Sequence, residues 1–283
     1  MKQLVLLAVM LALALSSVGT RADYLADYLG AAPRAGDGWS YSVIADGLDS
    51  VDNVAVGQAG EIYVSSEVGA AKGAVLQLTD GAPLVLLDDV TRPDGLALGP
   101  GVLFVTEETD NGRVLEVRLD DRSHRVVTVL DNPEGIERMA NGSLVVAEDL
   151  RPGRIVRVAA NGEIETLRPD LDRPEGVSID RDNAIVVAET GSGRVLRIAD
   201  GALTVIVEGL NEPDQVFCAP DGAIWISEDA RPGRLLRYRD GTLEEVASGL
   251  LAPQGITYDA AHDRYLVAEQ GRGRLLAFVR KTR

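Results

Sequence analysis

The chain has 283 residues, with 44 acidic side chains against 28 basic ones and a formal net charge of −16. That balance argues against nucleic acid as a partner, because phosphate recognition needs a basic footprint, and it favours cations instead. Apolar residues make up 46% of the chain, enough for a substantial core, and the single cysteine, Cys218, rules out an internal disulfide.

The chain opens with Met1-Lys2, an apolar run from Leu4 to Leu15, and small residues through Ala22. This pattern predicts a secretory signal over residues 1–22, removed near Ala22. The apolar run is short for a bilayer span, and an uncleaved anchor is the alternative. The mature protein is therefore expected to be secreted or periplasmic, with no membrane segment once the signal is removed. Residues 23–38 form a polar lead-in, and residues 39–283 form the folded domain.

From residue 41 onward one unit recurs. Tyr41 to Leu48 resembles the segment that ends later copies, such as Leu203 to Leu210. A worn first copy follows, with Val51-Asp52-Asn53-Val54, Glu67 and Gly73. The later copies are clearer: Pro93-Asp94-Gly95 with Glu107 and Gly112-Arg113, Pro133-Glu134-Gly135 with Glu148 and Gly153-Arg154, and Pro174-Glu175-Gly176 with Glu189 and Gly193-Arg194. Pro213-Asp214-Gln215 leads to Glu228 and Gly233-Arg234, and Pro253-Gln254-Gly255 to Glu269 and Gly273-Arg274. Residues 52, 94, 134, 175, 214 and 254 lie 39 to 42 apart. A period near 40 with four short strands in each copy predicts an all-β, six-bladed β-propeller of four-stranded antiparallel blades. The sixth copy stops after its third strand, so residues 41–46 are expected to pair with 273–279 and close the ring. No helix is expected beyond the signal.

Antiparallel order puts the start of strand one and the end of strand two at the same end of a blade. Two acidic rings then share one face. The first, on the innermost strand, is Asp52, Asp94, Glu134, Glu175 and Asp214, with Gln254 in the sixth place. Turn chemistry accounts for aspartate at such a position but not for glutamate. Carboxylates gathered around one channel repel one another, and a bound cation is the simplest neutraliser. The second ring is read as Glu67, Glu107, Glu148, Glu189, Glu228 and Glu269. In five copies an arginine follows five or six residues later, so Glu–Arg pairs pinning the blades are expected. Glu67 has no aligned arginine and is the member assigned toward function. Arg151 and Arg231, in closely similar turns, are read as solvated. Cys218 lies in an apolar run and is read as packing, and His124 and His262 fall in polar turns away from the motif.

The repeated Pro-Asp/Glu-Gly-Val, Val-Ala-Glu and Gly-Arg-Val-Leu pattern resembles the six-bladed SMP-30/gluconolactonase-like group and the related NHL-repeat propellers over the whole mature chain. The resemblance implies one divalent cation, commonly Ca²⁺, held at the channel mouth by Glu, two Asn and Asp. By repeat position these places fall on Asp52, Glu134, Glu175 and Asp214. Glu134 and Glu175 replace the two asparagines, which puts four negative charges where that group has two. Asp94 and Glu67 stand as additional candidate ligands. An all-oxygen ligand set suits Ca²⁺, with Mg²⁺ or Mn²⁺ as alternatives. If the chemistry transfers, Asp214 is the catalytic base of a metal-dependent lactonase acting on a small-molecule lactone. The channel-face histidines of paraoxonase-like and streptogramin-lyase-like enzymes have no match at the motif positions. No Gly-x-Ser-x-Gly motif is present either. The alternative is a non-catalytic NHL-like propeller that binds a protein partner.

Overall fold

The computed structural model describes residues 32–67 and 72–282. The expected signal and the lead-in as far as residue 31 lie outside the described residues. Six antiparallel sheets stand around one axis, five of four strands and one, that of blade five, with a fifth two-residue strand at its outer edge. Blade one begins with strand Val51–Val56, blade two with Pro93–Gly99, and blade three with Pro133–Arg138. Blades four, five and six begin with Pro174–Ile179, Pro213–Cys218 and Pro253–Asp259. Each of these first strands packs against the next, and that of blade six packs against that of blade one, which closes the ring.

Blade six is completed by the N-terminal strand, as expected. Trp39–Asp46 pairs antiparallel with Arg274–Arg280, with Tyr41 opposite Phe278 and Asp46 opposite Arg274. Gly36 N–H also donates to the Val246 carbonyl at 2.8 Å, which carries the chain along the outer edge of blade five. Trp39 is buried with Trp225 and Phe278 between blades five and six. Deleting residues 23–48 would strip this strand and expose an apolar seam. The truncated chain is expected to lose its cooperative melting transition, checked by circular dichroism on heating; a sharp transition like that of the intact chain would contradict the closure.

The middle strands are apolar on both faces because each blade is covered by two neighbours. In blade four, Val186, Val187 and Ala188 are all fully buried, whereas the outer strand Ala202–Glu208 is largely exposed. Strands three and four of that blade join at Asp200-Gly201, both with positive φ (50° and 77°), the tight hairpin turn that suits strand twist. The described residues contain no α-helix, only two short 3-10 turns at Thr190–Ser192 and Gln270–Arg272. None of their helices is long and apolar enough to cross a membrane.

The glycine of the Pro-acid-Gly motif has a packing cause. A Cβ at Gly95 would stand 2.3 Å from the Glu134 carbonyl oxygen, at Gly135 2.4 Å from that of Glu175, and at Gly176 2.5 Å from that of Asp214. Neighbouring first strands approach so closely at the axis that no side chain fits between them. Nothing in this contact asks for an acid at the position before.

Candidate metal centre at the channel mouth

Three rings of side chains meet at one end of the channel. The first is the second residue of each inner strand: Asp52, Asp94, Glu134, Glu175, Asp214 and Gln254, every one of them buried. Their backbone is stitched from blade to blade. Ser65 Oγ donates to the Asp94 carbonyl at 2.7 Å, and Thr106 Oγ1 donates to that of Glu134 at 2.5 Å.

The second ring differs from the one expected. Pro93 pairs with Glu107, Pro133 with Glu148, Pro174 with Glu189, Pro213 with Glu228 and Pro253 with Glu269, but Val51 pairs with Ser66. Glu67 is therefore one residue out of register with the glutamates it was grouped with. Its true equivalents are Glu108, Asp149, Thr190, Asp229 and Gln270. In all six blades the N–H of this residue donates to the carbonyl of the residue just before strand one, at 2.9 to 3.0 Å. These six side chains face the channel, whereas the preceding glutamates face away from it. The missing arginine of blade one follows directly: Ser66 fills the structural place there, and its Oγ bonds the Asp49 carbonyl.

The five outward glutamates do what the spacing predicted, and more. Each forms an ion pair with its arginine: Glu107 with Arg113, Glu148 with Arg154, Glu189 with Arg194, Glu228 with Arg234 and Glu269 with Arg274. Each also accepts a backbone N–H from the inter-blade link, from Thr91, Asp131, Asp172, Asn211 and Leu251 respectively, at 2.7 to 3.0 Å. Burial acts to raise the Glu107 and Glu189 carboxyls, but hydrogen bonds outweigh it and hold both below their ordinary range, from Arg113 and the Thr91 N–H for Glu107 and from the Ser192 hydroxyl, the Asp172 N–H and Arg194 for Glu189.

The residue just before each inner strand makes up the third ring: Ser50, Arg92, Asn132, Arg173, Glu212 and Ala252. All six have φ between 43° and 52°, a left-handed conformation that costs a non-glycine residue of order 1 kcal/mol. The glutamate clamp and the carbonyl bond to ring two hold this turn in place. Arg92, Arg173 and Glu212 extend from it into the cavity.

The cavity so formed has a volume of about 280 Å³, and its lining includes ten carboxylates against two guanidinium groups. Arg92 spans Glu67, at 3.0 Å from Nε, and Glu108. Arg173 spans Asp149, at 3.1 Å, and Glu175. Burial, then mutual repulsion, pushes the carboxyls of Asp52, Asp94, Glu134 and Asp214 well above the usual range. Burial also raises Glu175 to about 8 and Glu108 to about 7. The Thr190 hydroxyl has one proton but two acceptors beside it, a Glu175 carboxyl oxygen and the Pro213 carbonyl. A proton on Glu175 satisfies both contacts.

Carboxylate oxygens converge in three groups, each with its atoms within 4.8 Å of one another: Asp52, Glu67 and Asp94; Glu108, Glu134 and Asp149; and Glu134, Glu175 and Asp214. Three of the four residues expected to share a cation, Glu134, Glu175 and Asp214, thus come together. Asp52 stands instead with Asp94 and Glu67. The donor set is all oxygen and carries excess negative charge, and the buried Asp94 Oδ1 has no hydrogen-bond partner. Both features fit a hard divalent cation. Glu108, Asp149, Asp229 and the two arginines were not singled out from the sequence. The doublets Glu107-Glu108, Glu148-Asp149 and Glu228-Asp229 were the available signal, since successive side chains at a strand end point to opposite sides.

The other sequence candidates lie elsewhere. Arg151 pairs with Asp172 at 2.6 Å. Cys218 is half-buried and its thiol is pushed up to about 12 by burial, which makes it unreactive. His262 contacts Asp259 at 2.8 Å and His124 lies 3.5 Å from Asp89; neither lines the cavity.

No protein-family model and no curated protein sequence matches the chain. Solved structures do. A gluconolactonase from Xanthomonas campestris superposes with a TM-score of 0.73 at 17% identity, over 87% of this chain and 91% of that one. A virginiamycin B lyase from Staphylococcus aureus gives 0.61 at 15% identity, over 88% and 99%. A protein of unknown function from Bacteroides thetaiotaomicron gives 0.72 at 11%, over 88% and 77%. At such identities the likeness is one of fold, and the fold is the six-bladed propeller shared by gluconolactonase-like and virginiamycin B lyase structures.

Proposed function

We propose that this propeller is a metal-dependent hydrolase of the lactonase type, acting on a small-molecule lactone at the acidic channel mouth. The observation that carries the reading is the convergence of Glu134, Glu175 and Asp214, from the inner strands of three successive blades, within one buried group. A bound divalent cation, Ca²⁺ by donor type with Mg²⁺ or Mn²⁺ as alternatives, would supply Lewis-acid polarisation of the lactone carbonyl and acidification of water. Asp214, whose raised carboxyl would be ionised only with a cation bound, would take the proton of the attacking water. The proton that Asp214 takes up is then available to the departing ring oxygen, so one carboxylate can serve both halves of the ring opening. Opening the ring leaves a hydroxy acid, and the only positive side chains among the described residues lining the cavity, Arg92 and Arg173, would have to leave one of their acid partners to meet its new carboxylate. The gluconolactonase among the fold relatives supports this class of substrate. A histidine-to-alanine variant of virginiamycin B lyase is catalytically inactive, and no histidine lines the present cavity, which disfavours chemistry of that kind. The reading includes export, as expected from residues 1–22.

A second reading has its own observation. Every side chain lining the cavity is an acid, an arginine, an amide or a hydroxyl, and its volume falls just below the usual range for organic ligands. That composition suits an ion more than a lactone ring, and a propeller that holds ions to steady a protein-binding surface would have it too. Assaying the metal-loaded protein on a panel of lactones, with and without chelator, separates the two. Lactonase function predicts turnover that chelation abolishes and that Asp214→Asn lowers by about 10²- to 10⁴-fold. Metal binding without turnover of any lactone favours the second reading.

A further inference from the structure

We propose a second divalent-cation site, formed by Asp52, Glu67 and Asp94 on the side of the channel where blades one and two meet. It is independent of the lactonase reading, whose centre is the Glu134, Glu175 and Asp214 group.

The three residues come from two adjacent blades and from two different rings. Asp52 and Asp94 start the inner strands of blades one and two, and Glu67 follows the second strand of blade one. An oxygen of each lies within 4.8 Å of the other two. The outer contacts of the group are already fixed. Gln270 Nε2 donates to Asp52 Oδ2 at 2.9 Å, and Arg92 Nε donates to Glu67 Oε1 at 3.0 Å. These bonds orient two of the carboxylates, as supporting groups around a metal commonly do.

Asp94 is the independent observation. It is only 4% exposed, it lines the cavity, and its Oδ1 has no hydrogen-bond partner. A buried carboxylate oxygen without a donor is costly. Asp52 and Glu67, the side chains that converge on Asp94, are acids, which cannot supply a donor when ionised. Arg92 is occupied at both ends, by Glu67 and by Glu108. With Glu108 counted, four carboxyls face this one guanidinium, and when all are ionised a divalent ion offsets two of the three charges left over. With oxygen ligands only, the site takes a hard ion such as Ca²⁺, Mg²⁺ or Mn²⁺ and not zinc.

The test is a count of ions and needs no activity. The full chain is stripped with chelator and dialysed to equilibrium against Mn²⁺, and bound manganese is measured by elemental analysis. Two ions per chain are expected in the native protein, falling to one in Asp94→Asn and one in Glu67→Gln. Crystals grown with Mn²⁺ should show an anomalous peak in contact with Asp52, Glu67 and Asp94. Glu67→Gln, at the rim, keeps the test open should Asp94→Asn misfold. The proposal is overturned if native protein binds no ion, if both variants keep the native count, or if the anomalous peak lies only among Glu134, Glu175 and Asp214. Loss of the lactonase reading would show separately, as two bound ions without turnover.

Discussion

Adding Ca²⁺ to chelator-treated protein is expected to raise the melting temperature by roughly 5–10 °C per occupied site at a hundredfold excess over Kd. An ion that binds only the native state contributes about 2.7 kcal/mol under those conditions. For a domain of this size each kcal/mol shifts melting by about 2–4 °C. The same electrostatics sets the sign of the mutant effects. Glu134 and Asp94 are buried beside other acids, so at a pH high enough to ionise them replacing either by its amide removes a repelled, desolvated charge. Glu134→Gln and Asp94→Asn should therefore melt higher than the native chain without metal, and should gain less from Ca²⁺. Glu189→Gln should behave in the opposite way. It leaves Arg194 without its partner and loosens the clamp on the Asp172 N–H, at a cost of roughly 2–3 kcal/mol, and it should leave the Ca²⁺ response intact. Differential scanning fluorimetry with and without chelator reads all four proteins. A chelator-insensitive native chain would remove the cation reading of both groups.

That contrast between Glu134 and Glu189 was partly legible in the sequence. The 40-residue period and the orphan strand at 41–46 were enough for the blades and their closure, because both reflect pairing that every copy must satisfy. Glu189 could be read as structural because Arg194 stands at a fixed offset, and the pair closes one turn within one blade. Ring one could be read as functional because Gly176 and Pro174 already specify the turn around Glu175. The second ring was misread where its landmark failed. Blade one lacks the Gly-Arg pair, so Glu67 was aligned with Glu107, and only the pairing of Val51 with Ser66 reveals the shift. The division of the acids into separate groups could not be read at all. It depends on which side chains from neighbouring blades turn toward each other, and on where Arg92 and Arg173 reach. Those arginines sit in a left-handed turn whose shape no residue in the motif announces, since its six occupants range from Ala252 to Arg173.

Without metal, the protein is expected to lose stability steadily as pH rises from about 5 to about 8, the reverse of ordinary acid denaturation. A carboxyl whose folded pKa lies above its unfolded value binds more protons in the native state. Its contribution is fully present below the unfolded pKa and is lost as pH rises through the folded one. Glu175, raised to about 8, and Glu108, raised to about 7, define that window, and Asp52, Asp94, Glu134 and Asp214 shift in the same direction. The acids paired with arginine, Asp259 with Arg264 among them, act oppositely. Glu107, Glu189 and Asp259 have lowered pKa values, so their contribution is present above the unfolded value and is lost as pH falls through the folded one. The two sets together give a chelated protein whose melting temperature peaks near pH 5 and falls on both sides. A bound cation competes with protons for the same oxygens, so saturating Ca²⁺ should flatten the alkaline limb and leave the acid limb in place. It should also release protons, seen in calorimetry as a binding heat at pH 7 that changes with the ionisation enthalpy of the buffer. Melting curves from pH 4 to 9, with chelator and with Ca²⁺, test this directly. If the chelated protein is as stable at pH 8.5 as at pH 5.5, the ten carboxylates at the channel mouth are already relieved by some other means, and a proton-or-cation site is the wrong description of them.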